Sequence, residues 1–99
     1  MNRAGAIDLV RMKITALVGD KEPMVVLEDR IIERDWGWFV PWMARVDAEA
    51  GNPPAPGIAP FIVLRSTREI HPLFSGAFES SVLRVLGERA GEELLAELA

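Results

Sequence analysis

The acidic residues of the segment 24–45 are the side chains whose type and spacing come nearest to a catalytic pattern. Four carboxylates fall within eight residues, with two arginines among them. Paired carboxylates can serve as general acid and general base. Catalysis would also need a nucleophile, an oxyanion donor or a substrate-anchoring motif, and the sequence shows none beside them. The pattern therefore predicts a charged surface and no enzyme activity. The carboxylates are Glu28, Asp29, Glu33 and Asp35, and the arginines are Arg30 and Arg34.

Other reactive side chains are scarce in this chain. There is no cysteine and only one histidine, which excludes disulfides, thiolate ligands, thiol nucleophiles and a multi-histidine metal site within one chain. His71 stands alone beside Pro72, so we expect it to cap a backbone carbonyl or to face solvent. The sequence predicts no catalytic residue, no metal and no cofactor.

All three tryptophans fall in the segment 36–42. Because successive side chains of a strand point to opposite faces, an extended strand would place Trp36, Trp38 and Trp42 on one side. In a two-layer domain only one face of the sheet meets the helices, so this stripe or that of Phe39 would be partly exposed or covered by a loop. The tryptophans are therefore either core residues or contact residues for a partner.

Length and composition indicate one domain over residues 1–99 with its own hydrophobic core. The net charge of −4 counts against binding to nucleic acid or anionic lipid, which requires clustered Lys and Arg, and favours a basic protein partner. Asp8 and Arg11 interrupt any signal peptide, and the longest apolar run is far below the ~18 residues of a membrane span. We expect a cytoplasmic protein with no membrane partner.

The first half of the chain reads as a helix followed by a hairpin. Apolar periodicity predicts a helix over residues 4–18 that ends near Gly19. Residues 24–45 are predicted as a β-hairpin with its turn at 34–37. Pro41 cannot donate to a strand ladder, so the second arm is an edge or carries a bulge there. The predicted buried stripe of the helix comprises Ile7, Val10, Ile14, Leu17 and Val18.

The second half reads as a loop, a hairpin and a helix. The Pro-rich segment 47–59 predicts a long loop, and residues 60–73 predict a second hairpin. A helix is expected from Phe78 onward, broken near Gly87 or Gly91. The element order α-β-β-β-β-α implies an α+β domain of two layers, an antiparallel four-stranded sheet with the N-terminal and C-terminal helices on one face.

Three short motifs carry a resemblance to a known family. They lie at Gly37-Trp38-Phe39, at 57–63 and at 69–73, and with them the chain resembles the YrhB-like family, classed among the immunity proteins of bacterial polymorphic toxin systems. The family has Gly-Asn-Ala-Pro where this chain has Gly57-Ile58-Ala59-Pro60. Arg68 stands where the family usually has a turn glycine, so we expect a turn in which Arg68 does not need positive φ.

The resemblance implies a small cytosolic protein that neutralises a cognate toxin, usually encoded beside it, by direct contact and without catalysis. It supplies no functional residue to carry over, since the shared positions serve turns and core. Candidate contacts with a basic toxin therefore come from outside the matching motifs, although a solvated strand face also explains the acidic ones. These candidates are Trp36, Trp42, Glu28, Asp29, Glu33 and Asp35.

Two other functions are compatible with the residues. One is a chaperone-like or structural interaction module, monomeric or homodimeric, that uses a sheet edge near Pro41 or the apolar end at Leu94–Leu98. The other is a small-ligand pocket between the tryptophan-bearing sheet and the long loop. Nothing in the sequence names a ligand for such a pocket.

Overall fold

The protein is described by a computed structural model that covers residues 1–55 and 57–99, so that Pro56 of the predicted loop lies outside the described residues. The chain is of the α+β class, as expected, with antiparallel sheets of four and two strands. The helices are α1 (Arg3–Val18), α2 (Arg45–Ala50), α3 (Phe78–Leu86) and α4 (Glu88–Leu98), with short 3-10 helices at Glu28–Arg30 and Ser75–Ala77. The strands are β1 (Met24–Val26), β2 (Ile32–Arg34), β3 (Gly37–Val40), β4 (Trp42–Ala44), β5 (Phe61–Leu64) and β6 (Ile70–Pro72).

The predicted first hairpin is present, but both of its arms are interrupted. The 3-10 helix separates β1 from β2, and Pro41 separates β3 from β4. β2 pairs with β3 across a turn of two residues, with Arg34 opposite Gly37. Beyond Pro41 the pairing switches to β1 with β4, and the carbonyl of Pro41 accepts a hydrogen bond from the Leu27 amide at 2.9 Å. The predicted break at Pro41 is confirmed, because proline has no amide hydrogen to donate.

The four-stranded sheet has the order β2-β3-β5-β6, with every pair antiparallel. β3 and β5 are its central strands, and Trp38 lies opposite Val63. The second predicted hairpin is confirmed as β5 and β6, with Ile62 opposite His71. This arrangement leaves β2 and β6 as the edge strands of the main sheet.

The central strands send their side chains into two separate cores. Trp38 and Val63 belong to a core with the buried residues of α1, whereas Phe39 and Ile62 belong to a core with Val82 and Leu94 of the C-terminal helices. Because neighbouring strand residues point to opposite faces, each face of the sheet carries its own helices. Helix-on-sheet packing is present as expected, but the expectation that one stripe would be partly exposed or covered by a loop is wrong, because helices pack on both faces.

The helices differ from their predictions in detail. In α1 the side chains of Ile7, Val10 and Ile14 are buried and Val18 packs against the core, as predicted, but Leu17 is 59% exposed. The long loop begins only after α2, which ends at Gly51 in the left-handed conformation. The C-terminal helix is broken at Gly87, as one of the two predicted sites, and α3 and α4 then pack on each other.

The turn of the second hairpin contradicts the expectation for Arg68. Arg68 has a φ of 63°, which makes it the one non-glycine residue with positive φ in the described part of the chain. Its amide donates to the carbonyl of Leu64 at 2.9 Å and closes the turn. The left-handed conformation brings Cβ too close to the backbone, a steric cost that glycine does not have.

We expect Gly37→Ala to destabilise the protein strongly. The φ of Gly37 is +143°, and a Cβ atom there would lie 2.0 Å from the carbonyl oxygen of Val63. β3 and β5 would have to separate, at a cost of more than about 2 kcal/mol in the free energy of unfolding. Gly76→Ala is the matched control, since its Cβ would meet no atom within 4 Å, and should change stability by less than about 1 kcal/mol. Equal effects in urea denaturation would contradict the close approach.

We expect Arg68→Gly to stabilise the protein by about 0.5 to 1 kcal/mol. Relief of the left-handed strain exceeds the added conformational entropy of the unfolded chain. Arg68→Ala is the control, because it removes the charge and keeps the strained φ, and it should leave the free energy of unfolding near that of the wild type. A loss of stability in Arg68→Gly, measured by chemical denaturation, would refute the strain.

Candidate functional site

The structure separates the three tryptophans into two groups. Trp38 is 0% exposed and Trp42 is 5% exposed, and both lie in the core beneath α1. The indole N–H of Trp42 donates to the carbonyl of Ala59 at 2.6 Å, and its ring stacks on Phe61. The prediction that Trp42 contacts a partner is therefore wrong, because its ring is covered and its indole N–H is hydrogen-bonded inside the protein. The same hydrogen bond holds the end of the long loop against the indole. The sequence allows a ligand pocket at this place, between the tryptophan-bearing sheet and the loop.

Trp36 is the exception among the tryptophans. It lies in the turn between β2 and β3, is half-buried, and packs at the edge of the other core, that of Phe39. The expected alternation does not extend to Trp36, because it is a turn residue and Gly37 beside it has a positive φ. Trp36 thus lies on the side of α4, opposite to Trp38.

A groove opens between this turn and the C-terminal helices. Its volume is about 1280 Å³, and we call it the Trp36 groove. One wall is the turn 33–36, and the other runs from Leu86 at the end of α3 along α4 to Glu97. Five acidic residues and two arginines line it, a formal charge of −3 that becomes −2 when Arg65, the ion-pair partner of Glu33, is counted. These residues are Glu33, Asp35, Glu88, Glu93 and Glu97, with Arg34 and Arg89.

Ion pairs neutralise only part of this charge. Arg34 donates to the carboxylate of Glu97 and so connects the two walls, and Arg89 lies 3.7 Å from Glu93. Exposed pairs of this kind contribute at most about 1 kcal/mol each to stability. In the described part of the chain, Asp35 forms no ion pair. The carboxylate at the tip of the turn is thus free to meet a cation.

On the opposite side of the hairpin, Arg65 contacts both Trp38 and Glu33. The guanidinium of Arg65 lies 4.4 Å from the centroid of the Trp38 ring. One of its amino groups donates to the carboxylate of Glu33 and to the carbonyl of Arg34, both at 3.1 Å. The guanidinium therefore lies over the aromatic ring in a cation–π contact, and a salt bridge to the carboxylate holds it there.

The surroundings of Glu33 favour the ionised form of its carboxylate. Its pKa is lowered, first by the indole N–H of Trp38 and then by Arg65. Trp38 stands directly opposite Glu33 in the ladder. The indole nitrogen has no partner that meets hydrogen-bond geometry among the described residues, so it acts on the carboxylate as a nearby N–H dipole.

The four predicted acidic contacts do not form one surface. Glu28 lies in the first 3-10 helix and pairs with Arg11 of α1, N to O distance 3.2 Å, and Asp29 is exposed in the same helix. Only Glu33 and Asp35 line the Trp36 groove. The reason is that the 3-10 helix takes its residues out of the strand ladder between β1 and β2.

The remaining predicted groups have structural partners. His71 on β6 is partly exposed, as expected, and lies 2.9 Å from the carboxylate of Glu69 rather than on a backbone carbonyl. Across residues 1–55 and 57–99, no group of three or more His, Cys, Asp or Glu side chains could hold a metal ion.

The two surfaces suggested for a structural module are largely used inside the protein. Before Pro41, β3 has a strand on each side, and beyond it the three residues of β4 are buried. Leu94 is 2% exposed and Leu95 packs against the same core, which leaves Leu98, 37% exposed, as the apolar residue at that end. A Leu94–Leu98 dimer seam would therefore need residues that the monomer already buries.

Sequence reasoning missed the groove residues of α4. Glu93 and Glu97 lie outside the apolar stripe of the last helix, and nothing local in the sequence indicates that they would stand beside Trp36. The available signal was the small residues Ala90 and Ala96, which line the groove with these acids. Small side chains next to acidic ones on a short helix favour a surface that another group can approach.

No family model, curated protein or solved structure matches this chain. The function therefore has to be argued from the residues and their geometry. None of the helices in the described part of the chain has both the length and the hydropathy that crossing a membrane requires.

We expect Glu33→Gln to alter the acid limb of the stability curve. Because the pKa of Glu33 lies below its ordinary value of 4.5 in the folded state, its charged form stabilises the fold above that pH. This contribution is lost as the pH falls through the folded-state pKa. Urea unfolding over a pH series should show lower stability for Glu33→Gln at neutral pH and a shallower decline in acid. Glu92→Gln, on an exposed position of α4, is the control, and identical curves for the two variants would contradict the coupling.

Proposed function

We propose that this protein is a small binding protein of the immunity type, which neutralises a cognate bacterial toxin by direct contact. The observation that carries the proposal is Trp36, which stays half-buried in a negatively charged groove while the two neighbouring tryptophans are buried. Tryptophan is enriched among the residues that dominate protein–protein binding energy. The Trp36 groove is accordingly the proposed contact surface, and no catalytic residue, metal or cofactor is assigned.

The resemblance to the YrhB-like family supports this proposal. Its motifs fall on β3, on β5 with the segment before it, and on β6, which are adjacent strands of one sheet. Arg68 adopts positive φ at the position where the family usually has a turn glycine. This departure from the family pattern is therefore one of residue type and not of backbone conformation.

The charge of the molecule supports a basic partner. The acidic residues that line the groove outnumber its arginines, in a chain whose net charge is −4. Complementary potentials accelerate encounter and disfavour wrong partners, whereas the same charge repels nucleic acid and anionic lipid. We propose a one-to-one complex with a basic toxin domain, formed in the cytoplasm of the cell that encodes both proteins.

Co-expression with the product of the neighbouring gene tests the proposal. Where that gene encodes a toxin domain, this protein should restore growth, and the two purified proteins should elute together as a one-to-one complex. The absence of both protection and complex formation would refute an immunity role. Suppression of aggregation of unrelated unfolded proteins, without toxin binding, would favour the chaperone-like alternative.

We expect Trp36→Leu to weaken toxin binding by more than about 2 kcal/mol, roughly 30-fold, as loss of an interface anchor does. Its cost in fold stability should be only about 1 kcal/mol, because the ring is already partly exposed. Calorimetric titration with the toxin measures the affinity, and urea denaturation measures the stability.

Trp42→Leu is the matched control for this substitution. It removes a buried ring and the hydrogen bond to Ala59, and should cost about 3 kcal/mol or more of stability. The fraction that remains folded should bind the toxin with nearly the wild-type affinity. If Trp42→Leu lowers affinity and Trp36→Leu does not, the groove is not the contact surface.

A further inference from the structure

We propose that the Trp36 groove binds a guanidinium group, the side chain of an arginine on the partner, stacked on the Trp36 ring and flanked by carboxylates. This inference rests on the proposed function, because it specifies the chemistry by which that same surface recognises a toxin. It names the occupant of the groove as an exposed arginine of a basic protein.

The first step of the argument is that the hairpin already builds such a site on its other side. There the ring of Trp38 carries the guanidinium of Arg65 at 4.4 Å, and the carboxylate of Glu33 accepts from that guanidinium at 3.1 Å. An aromatic ring from β3, a carboxylate from β2 and a planar cation from the residue after β5 are thus assembled at one end of the sheet. This stack is supplied entirely by the chain itself.

The second step is that the Trp36 side has an aromatic ring and carboxylates, but no cation lies over its ring in the described part of the chain. The ring is half-buried, and Asp35 and Glu93 line the groove with it. In the described part of the chain, Arg65 over Trp38 is the one cation that lies over an aromatic ring. The groove's own arginines face carboxylates instead, with Arg34 on Glu97 and Arg89 near Glu93.

The third step concerns the kind of cation. A guanidinium is planar, stacks on an indole more readily than an ammonium, and can still donate in its plane to carboxylates on either side. An ammonium group satisfies the charge but cannot combine stacking with two parallel hydrogen bonds. The combination of a ring face and flanking carboxylates therefore favours arginine over lysine.

Strand addition at the neighbouring sheet edge is the competing mode of recognition, and the structure disfavours it. Arg34 donates to the carbonyl of Glu33 at 2.6 Å. In a hairpin with a two-residue turn, the backbone groups of Glu33 point to the free edge of β2. That acceptor is already used, so a partner strand would have to displace Arg34.

The test needs no toxin and uses the labelled wild-type protein. Hexa-arginine, hexa-lysine and hexa-glutamate peptides are titrated while nuclear magnetic resonance follows the indole N–H signals of the three tryptophans. We expect the Trp36 signal to shift saturably with hexa-arginine and the Trp38 and Trp42 signals to stay in place. Hexa-lysine should bind roughly threefold more weakly, and hexa-glutamate should produce no shift.

Adjacent residues of α4 provide the matched variants. Glu93→Gln removes a carboxylate that lines the groove, and Glu92→Gln removes one that does not. The two substitutions change the net charge equally. We expect Glu93→Gln to weaken hexa-arginine binding by about two- to threefold and Glu92→Gln to have a smaller effect. Trp36→Leu, followed through the backbone amides of the turn, should abolish the preference for arginine over lysine.

Several results would overturn the inference. These are an unmoved Trp36 signal, equal shifts of all three indole signals, equal effects of the two glutamine variants, or equal affinity for the arginine and lysine peptides. A homodimer in sedimentation that Trp36→Leu dissociates would also overturn it, because the occupant would then be a second copy of this chain. If the toxin complex forms but the peptide titration fails, only the arginine inference is wrong. If the peptide binds but no toxin is neutralised, the proposed function is wrong.

Discussion

The close approach of Gly37 to β5 is the constraint on which both sides of the hairpin depend. With a positive φ and no Cβ, Gly37 lets the backbone of β3 reach the carbonyl of Val63. Two residues after Val63, just past the end of β5, the amide of Arg65 donates to the carbonyl of Trp36 at 2.9 Å. The turn is thereby attached to the end of a central strand. The same attachment places the Arg65 side chain over Trp38 and directs Trp36 to the other side.

The division of the tryptophans follows from this geometry. β3 is buried on both faces, since Trp38 and Val40 pack beneath α1 and Phe39 packs beneath the C-terminal helices. A strand with no solvent-facing side chain cannot offer a contact surface, so an aromatic contact has to come from the turn that precedes it. Trp36 meets this condition because its ring is supported by the core of Phe39 and remains open on the groove side.

Charge and packing act together in the Trp36 groove. α4 reaches the turn only because the chain reverses at Gly87 and because Gly91 allows it to lie close to Leu83, where a Cβ would come within 2.8 Å of a side-chain carbon. This packing places acidic side chains of α4 opposite those of the turn. The Arg34 to Glu97 pair then connects the two walls without cancelling the net negative charge. A partner can therefore bind in the groove without any rearrangement of the fold.

The sequence by itself determined the class of the fold, both hairpins, the break at Pro41, and the interruption of the last helix at a glycine. These features depend on local chemistry, namely side-chain periodicity, the missing amide of proline and the backbone freedom of glycine. Two predictions from the local pattern are wrong, a buried Leu17 and a Trp36 on the same face as Trp38. Both residues lie at the ends of elements, which are positioned by packing against distant residues.

Only the tertiary structure decided which of the predicted contacts share a surface. Trp42 became a core residue through its hydrogen bond to Ala59, and Glu28 was directed to Arg11 of α1 by a short helix within the first arm. The groove itself joins a turn and a helix separated by about half the chain, so no spacing rule could predict it. Periodicity reports which side of an element is apolar, whereas the position of α4 beside Trp36 depends on how two cores pack on one sheet.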